Sequence, residues 1–246
     1  MTWYEQAFGK NYLDVYAHRT DEQAIAEVEF ANKHLQFKKN QVILDLCCGA
    51  GRHSFVMAPM VKTVVAFDLS LDLLQCAVKE NLSKKCPNIY WQKGDSRNLS
   101  FSNSFDTVVC FFNSFGYFED ESENIQVIRN VFNALKPKGK LLFDIMNKPF
   151  IINNLKPQTE KSINQFIVQE SRKISSNGLR VEKEVRIFEG CNIVNEYRES
   201  VRMYTKDELL NLFSLAGFTS IEFFGSILSE PLCEFSSRLI LVCQKP

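Results

Sequence analysis

Short apolar segments alternate with amphipathic segments between residues 42 and 145, and this alternation limits the fold more than any other feature of the sequence. The strand-like runs are 42–47, 64–67, 89–93, 107–112 and 140–145. The helical patterns between them are 52–60, 70–83 and 121–135. Strands that alternate with helices form βαβ units, which cover both faces of a parallel sheet. The pattern therefore predicts an α/β fold with a doubly wound, mostly parallel sheet.

The pattern changes after the fifth strand. Residues 162–204 contain three long runs of alternating apolar and polar residues, separated by turn sequences. Such runs are typical of antiparallel strands, so we predict an antiparallel β insert there. Strands at 220–224 and 238–244 bring the main sheet to seven. Aromatic residues and a capping box at residue 20 predict an N-terminal helical lid over 1–38, and we expect one domain over 1–246.

Composition argues against several classes of partner. Lys plus Arg and Asp plus Glu number 29 each, so no net field favours nucleic acid or an anionic membrane. No apolar run reaches the length of a membrane span, and no signal peptide is evident, so we expect a cytoplasmic protein. The eight cysteines and three histidines include no Cys-x-x-Cys and no pairing at ligand spacing, and we expect no metal site.

The strongest local signal is the segment 42–54, where a buried strand runs into a glycine-rich turn that opens a helix. Gly49 and Gly51 let a ligand approach the backbone, and the helix start offers N–H groups to an anion. Dinucleotide-binding folds use the same device but place a further glycine or alanine near the helix start, where this chain has His53 and Ser54. The turn alone therefore leaves two classes of cofactor open.

Two aspartates follow the next strands. Asp68 ends the second strand, where a carboxylate can accept both ribose hydroxyls of an adenosine in either class of cofactor. The alternative is that Asp68 or Ser70 only caps the next helix. Asp95 follows the third strand, and the fourth strand ends in an aromatic segment, 111–117. Ligands bind at the carboxyl ends of open α/β sheets, so these signals predict one site.

Taken together, Asp-x-Cys-Cys-Gly-x-Gly-Arg at 45–52, Asp68, Asp95 and the 111–117 segment resemble class I S-adenosylmethionine-dependent methyltransferases. The resemblance covers 10–145 and the segment 204–218. It implies a Rossmann-like methyltransferase sheet, S-adenosylmethionine as cofactor and S-adenosylhomocysteine as product. By this resemblance the cofactor-binding residues are Tyr16, Arg19, Asp45, Gly49, Gly51, Arg52, Asp68, Leu69, Asp95, Ser96, Arg97, Phe111 and Asn113.

The nearest layouts are those of small-molecule enzymes, including sugar-amine N-methyltransferases, which carry an insert after the fifth strand. This implies methyl transfer to N or O of a small polar molecule, with Tyr117, Tyr197 and Arg198 in the substrate pocket. We name no catalytic residue, because packing or a cofactor contact explains His53 better than a role as base. A protein or RNA methyltransferase, a non-catalytic cofactor-binding module, and an insert that forms a homodimer stay open as alternatives.

Overall fold

The computed structural model describes residues 2–8 and 20–246. Helices begin at capping residues that are visible in the sequence. Thr20 exchanges hydrogen bonds with Gln23, and Thr205 does so with Glu208, which satisfies N–H groups that a helix start leaves open. None of the described helices is long and apolar enough to cross a bilayer. They are α1 (Trp3–Ala7), α2 (Asp21–Leu35), α3 (Arg52–Met57), α4 (Leu71–Lys84), α5 (Glu121–Ala134), α6 (Lys148–Asn154) and α7 (Lys206–Leu215).

Seven strands form the main sheet, and this confirms the predicted fold class. The strand order is β10-β11-β5-β4-β1-β2-β3, and β11 is antiparallel to both of its neighbours. The strands are β1 (Val42–Leu46), β2 (Thr63–Asp68), β3 (Ile89–Lys93), β4 (Phe105–Cys110), β5 (Leu135–Met146), β10 (Thr219–Phe224) and β11 (Arg238–Gln244). The fifth strand begins earlier than predicted, since its pairing continues through Pro137 to Leu135 despite a register shift.

Both faces of the sheet are buried, as the continuous apolar runs of its strands require. Successive side chains point to opposite faces of a strand. Leu44 and Val108 therefore belong to one core, and Ile43 and Val109 belong to a second core on the other side. Helices α5 and α7 cover the first core, and α2 and α3 cover the second.

The strand order reverses at β1, which lies between β2 and β4. Chain segments that follow β1 and β4 leave the sheet toward opposite faces, so a crevice opens at the carboxyl ends of these two strands. The fold therefore places the glycine-rich turn and the 111–117 segment on the two sides of one crevice.

The insert after β5 is a separate antiparallel sheet with the strand order β6-β7-β8-β9. Its strands are β6 (Gln158–Ile163), β7 (Phe166–Ile174), β8 (Arg180–Glu189) and β9 (Asn192–Arg202). The sequence indicated only three of them and placed the start of the insert at residue 162. The first strand was not predicted because its sequence, Gln-Thr-Glu-Lys-Ser-Ile, is mostly polar and shows no apolar alternation.

Candidate active site

The turn after β1 is built on left-handed backbone at three positions. The φ angles are 60° at Cys47, 57° at Gly49 and 83° at Gly51. A Cβ atom placed on Gly49 would meet only a Leu73 methyl carbon at 3.8 Å, so the backbone of Gly49 borders open space. A Cβ on Gly51 would lie 2.3 Å from the Trp91 ring. Gly49 therefore faces a cavity, whereas Gly51 is needed for packing against β3.

Asp68 closes this turn from the end of β2. Its carboxylate accepts hydrogen bonds from the N–H of Gly49 at 2.7 Å and from the N–H of Ser70 at 2.8 Å. Burial raises the pKa of Asp68 to about 6, against the opposing effect of these hydrogen bonds. The side chain thus fixes the turn and also presents a carboxylate to the cavity that it lines.

Asp95 and Ser96 continue the cavity wall after β3. Arg97 lies behind Asp95, with an Nη2–Oδ2 distance of 2.6 Å, and also pairs with Glu123 at 2.6 Å. Burial opposes ionisation of Asp95, but the hydrogen bonds from Arg97 outweigh it and lower the pKa of Asp95. Asp95 is therefore an ionised acceptor held in one orientation, and Arg97 is the residue that orients it.

The segment after β4 forms the opposite wall. Phe112 and Asn113 both have left-handed backbone, with φ angles of 63° and 61°, which is strained for residues other than glycine. Asp144 at the end of β5 holds them. Its side chain accepts from the N–H of Phe112 at 2.9 Å, and its carbonyl accepts from the N–H of Asn113 at 2.7 Å. Phe111, Phe112 and Asn113 line the cavity on this side.

A buried carboxylate, Glu27 of α2, links this wall to the turn after β1. Its oxygens lie 2.7 Å from His53 Nε2, 3.0 Å from Arg52 and 2.9 Å from Arg238, which also pairs with Asp144. Burial opposes ionisation of Glu27, but the hydrogen bond from His53 and the charges of the arginines outweigh it and lower its pKa to about 2. The His53 ring is held by Glu27 and by stacking on Phe111 at 4.1 Å.

The other end of the cavity is enclosed by α1, the 114–118 segment and the insert. Tyr117 stacks on Phe8 with 5.7 Å between ring centroids, and Trp3 meets its edge at 5.0 Å. The hydroxyl of Ser70 donates to the carbonyl of Phe8 at 2.7 Å, which ties the end of α1 to the segment after β2. The apolar face of the insert packs against α1 through a cluster that includes Tyr197. The whole cavity measures about 510 Å³.

The structure brings together most of the residues that the sequence singled out, but not all. Those that line the cavity are Gly49, Arg52, Asp68, Leu69, Asp95, Ser96, Phe111, Asn113 and Tyr117. Asp45 is buried beneath the turn, where it accepts a hydrogen bond from Ser54 at 2.5 Å. Tyr197 is buried between α1 and the insert, and Arg198 is an exposed partner of Glu184 on the outer face. Tyr16 and Arg19 lie outside the described residues.

The insert does contribute to the cavity, but through side chains other than the predicted pocket residues Tyr197 and Arg198. They are Arg172, Val181, Lys183, Glu199 and Val201. These residues occupy every second position of their strands and so share one face of the sheet. The alternation in the sequence, combined with the pairing of the strands, could have identified them. Trp3, Tyr4 and Phe8 also line the cavity, and their aromatic spacing was the available signal.

Comparison with known proteins supports the resemblance to methyltransferases that the sequence shows. A family model described as a methyltransferase domain matches residues 43–139, which contain the turn after β1, Asp68 and Asp95. Residues 43–139 of this chain are therefore similar to a methyltransferase domain. The match ends within β5, at residue 139, so the insert and α1 lie outside the matched residues.

Similar proteins match this chain to different extents. A putative methyltransferase of Bacillus subtilis is 30% identical over 140 residues, 57% of this chain and 54% of that protein. The cypemycin N-terminal methyltransferase of a Streptomyces species is 24% identical over 208 residues, 83% of each chain. The structure of an amino pentose methyltransferase from Micromonospora echinaspora, with S-adenosylmethionine bound, has a TM-score of 0.70 at 18% identity and covers 96% of this chain and 97% of that one. At that identity the likeness shows a shared fold.

The cavity fits S-adenosylmethionine at the end near the sheet. Its volume lies within the range of roughly 300–1,000 Å³ that small-molecule sites occupy. Asp68 would offer its carboxylate to the ribose hydroxyls, and Asp95 would offer a second acceptor in a fixed orientation. The open space against Gly49 leaves room for a ligand beside the turn. The end near α1 and the insert is then left for a methyl acceptor.

Proposed function

We propose that this protein transfers a methyl group from S-adenosylmethionine to an amine nitrogen of a small polar molecule. The observation that carries this proposal is the two-ended cavity. One end has the aspartates and glycine turn of a cofactor site, and the other is enclosed by aromatic and charged side chains of α1, the 114–118 segment and the insert. Asp68, Asp95 and the turn would hold the cofactor, which supplies an electrophilic methyl group on a sulfonium.

An amine acceptor suits the side chains of this cavity better than a hydroxyl. A hydroxyl acceptor usually needs a general base, whereas an amine needs only to be unprotonated. Two of the titratable groups that line the cavity are bound within the protein: His53 to Glu27 and Glu199 to Lys183, each at 2.7 Å. The chain's contribution is then to align the acceptor and exclude water, which the aromatic contacts among Trp3, Phe8 and Tyr117 support.

The names of similar proteins support the same chemistry. One acts, by its name, at the N-terminus of cypemycin, and another is an amino pentose methyltransferase. Both names point to amine-bearing acceptors. The chain spans 54% of the first curated relative described above and 83% of the second, so the acceptor of this protein is our proposal.

The decisive experiment measures S-adenosylhomocysteine release with pairs of acceptors that differ only in an amine or a hydroxyl. We expect turnover of amines and little turnover of the matched alcohols. Preference for the alcohols would contradict the assignment to nitrogen. Calorimetry should show binding of S-adenosylhomocysteine and none of NAD. Binding of NAD alone would reject the cofactor assignment.

A pair of variants tests whether the insert walls the acceptor end. Val181→Trp would fill the cavity from β8, so we expect a lower kcat/KM for the acceptor with unchanged affinity for S-adenosylhomocysteine. Val194→Trp adds the same side chain at an exposed position of β9 and serves as the control. Equal activity of the two variants would contradict an acceptor site beside the insert.

A peptide with a free N-terminal amine is the second candidate acceptor. It is favoured by the similarity over 83% of both chains to the cypemycin enzyme. A cavity of about 510 Å³ would admit only the first residues of such a peptide. Short peptides with free and acetylated N-termini distinguish this candidate, because only the free forms should be methylated.

A further inference from the structure

Three charged side chains form a row across the insert on the face toward the cavity. Arg172 of β7 is paired in register with Lys183 of β8, and Lys183 is paired with Glu199 of β9. All three line the cavity. Their side chains are only 21%, 13% and 16% exposed. The next row toward the turn between β7 and β8 contains Val181 and Val201, so apolar residues flank the charges.

This row is unexpected for a face that only packs. Transfer of ionised side chains from water into a protein costs several kcal/mol for each ion, and apolar residues of similar size often stabilise such positions equally well or better. The neighbouring rows show that this sheet does use apolar residues: Val185, Ile187 and Val168 are buried against α1. A packing role explains these apolar positions. The charged row is instead held by ion pairs, with Arg172 bound to Glu170 of the neighbouring row and Lys183 bound to Glu199.

Arg172 is held toward the cavity by a support of its own. The buried carboxylate of Glu170 accepts from its Nη2 at 2.5 Å, and the hydroxyl of Thr159 accepts from its Nη1 at 2.9 Å. Glu170 is 5% exposed, and Thr159 donates to it at 2.8 Å. Burial opposes ionisation of Glu170, but this hydrogen bond and the charge of Arg172 outweigh it and lower the pKa of Glu170. These bonds fix the direction of a guanidinium that has five N–H donors.

Cations and carboxylates alternate around this row. Among the described residues, the cations Arg172, Lys183 and Lys161 share two carboxylates, Glu170 and Glu199. A planar guanidinium beside an ammonium group is the arrangement that binds carboxylates and phosphates, with the guanidinium able to donate two parallel hydrogen bonds. Arg172 and Lys183 are paired neighbours on the cavity wall, and this position of two cationic groups is the observation that favours an anionic ligand there.

We propose that the methyl acceptor carries, besides its amine, an anionic oxygen group bound by Arg172 and Lys183. The inference rests on the proposed amine methylation and names the class of acceptor. Carboxylate and phosphate share the chemistry that this pair recognises. Glu199 holds the Lys183 ammonium toward the cavity.

The test compares acceptors that share an amine and differ in the acid group. One pair is an amino acid and its amide, and a second pair is a phosphorylated amino alcohol and its parent amino alcohol. We expect the acid-bearing member to have a KM lower by about tenfold or more, since a charged hydrogen bond is lost in the other. The pair with the larger ratio tells whether carboxylate or phosphate is the natural group.

Variants of Arg172 and Lys183 test whether these residues cause the preference for acid-bearing acceptors. Arg172→Gln and Lys183→Gln should raise the KM of the acid-bearing acceptor by about tenfold. They should leave the affinity for S-adenosylhomocysteine unchanged. Arg186→Gln is the matched control, because Arg186 pairs with Glu196 on the outer face of β8 and is half exposed. Since Arg172→Gln leaves Glu170 less compensated, the double variant Glu170→Gln/Arg172→Gln serves if the single variant fails to fold.

Inhibition by inorganic phosphate can be measured first on the wild-type protein. It should inhibit the wild-type protein competitively against the acceptor, and Lys183→Gln should weaken that inhibition. Equal KM values for charged and neutral acceptors, with no inhibition by phosphate, would overturn the inference and leave amine methylation intact. Absence of turnover with every amine, in a protein that binds S-adenosylhomocysteine, would overturn both.

Discussion

Asp68 is the residue on which the cofactor assignment depends most, and Asp68→Asn tests it with little change of shape. The asparagine oxygen can still accept one of the two N–H groups, of Gly49 or of Ser70, that the aspartate now accepts. The variant does remove the negative charge that would face the ribose. We expect a folded protein with weaker affinity for S-adenosylhomocysteine.

The magnitude follows from the type of hydrogen bond. A hydrogen bond to a charged group contributes about 1.5–3 kcal/mol, and one between neutral groups contributes about 0.5–1.5 kcal/mol. Loss of the charge at two ribose hydroxyls therefore costs about 2–3 kcal/mol. That corresponds to an increase in the dissociation constant of about 30- to 150-fold, measured by calorimetry at pH 7.5.

The pH dependence gives an independent check. Burial raises the pKa of Asp68 to about 6, so the carboxylate is ionised at pH 7.5 and mostly protonated at pH 5. If only the ionised form binds well, affinity should fall about tenfold at pH 5, because each pH unit below the pKa reduces the ionised fraction tenfold. Asp68→Asn should lack this dependence.

The same shift predicts the direction of the effect on stability. The folded state binds the proton of Asp68 more tightly than the unfolded chain does, so ionisation destabilises the fold as pH rises from about 4 through 6. The asparagine variant should then unfold at the same temperature as the wild type or higher at pH 7.5. An unchanged dissociation constant, or an equal pH dependence in the variant, would refute the role of Asp68.

Three further variants test the framework around the site. Gly51→Ala should lower the free energy of unfolding by about 2–5 kcal/mol in urea titrations, because alanine is strained at the left-handed φ of residue 51 and its Cβ would overlap Trp91. A loss below about 1 kcal/mol would contradict this. The pKa of Glu27, about 2, lies below its ordinary value of 4.5 despite burial, so its stabilising effect is present above pH 4.5 and is lost as pH falls toward 2. Glu27→Gln should be less stable at pH 7 and lose less between pH 4.5 and 2, whereas parallel curves would rule this out. Arg180 donates hydrogen bonds to the carbonyls of residues 116–118 and so holds the segment that carries Tyr117. Arg180→Lys should therefore raise the KM for the acceptor without changing cofactor affinity, and a change in cofactor affinity alone would argue against this role.

The sheet and its carboxyl edge could be predicted because the relevant patterns are local. A buried strand followed by a glycine turn places Gly49 where the structure has it, and an acidic residue after the next strand places Asp68 beside it. Parallel strands gather their carboxyl ends at one edge, so residues distant in sequence meet there without any knowledge of loop geometry. The family resemblance gave the cofactor class for the same residues.

The buried ion network could not be predicted in this way. Glu27, Arg238 and Asp144 belong to α2, β11 and β5, and no local pattern pairs them. Glu27 was unremarkable as one charge of an amphipathic helix. Only the packing of α2 over the turn after β1 makes it the shared partner of His53 and Arg52.

The acceptor end shows how a single irregularity limits sequence interpretation. The turn between β8 and β9 pairs Glu189 with Asn192, and an uninterrupted ladder from that turn would pair Lys183 with Arg198. Paired residues share one face of a sheet, so Arg198 would then have pointed into the cavity, as the sequence suggested. A register shift between Ile187 and Phe188 moves the pairing by one residue.

Beyond that shift Lys183 faces Glu199, and Arg198 points to solvent. A bulge of one residue thus places Glu199, rather than Arg198, beside Lys183 at the cavity wall. Without it, Arg172, Lys183 and Arg198 would be three cations in one row, and their mutual repulsion would oppose burial. With it, Glu199 pairs with Lys183 at the cavity wall, and the row contains two cations and one anion. The charge that we propose to bind the acceptor therefore depends on a backbone irregularity that residue alternation alone does not reveal.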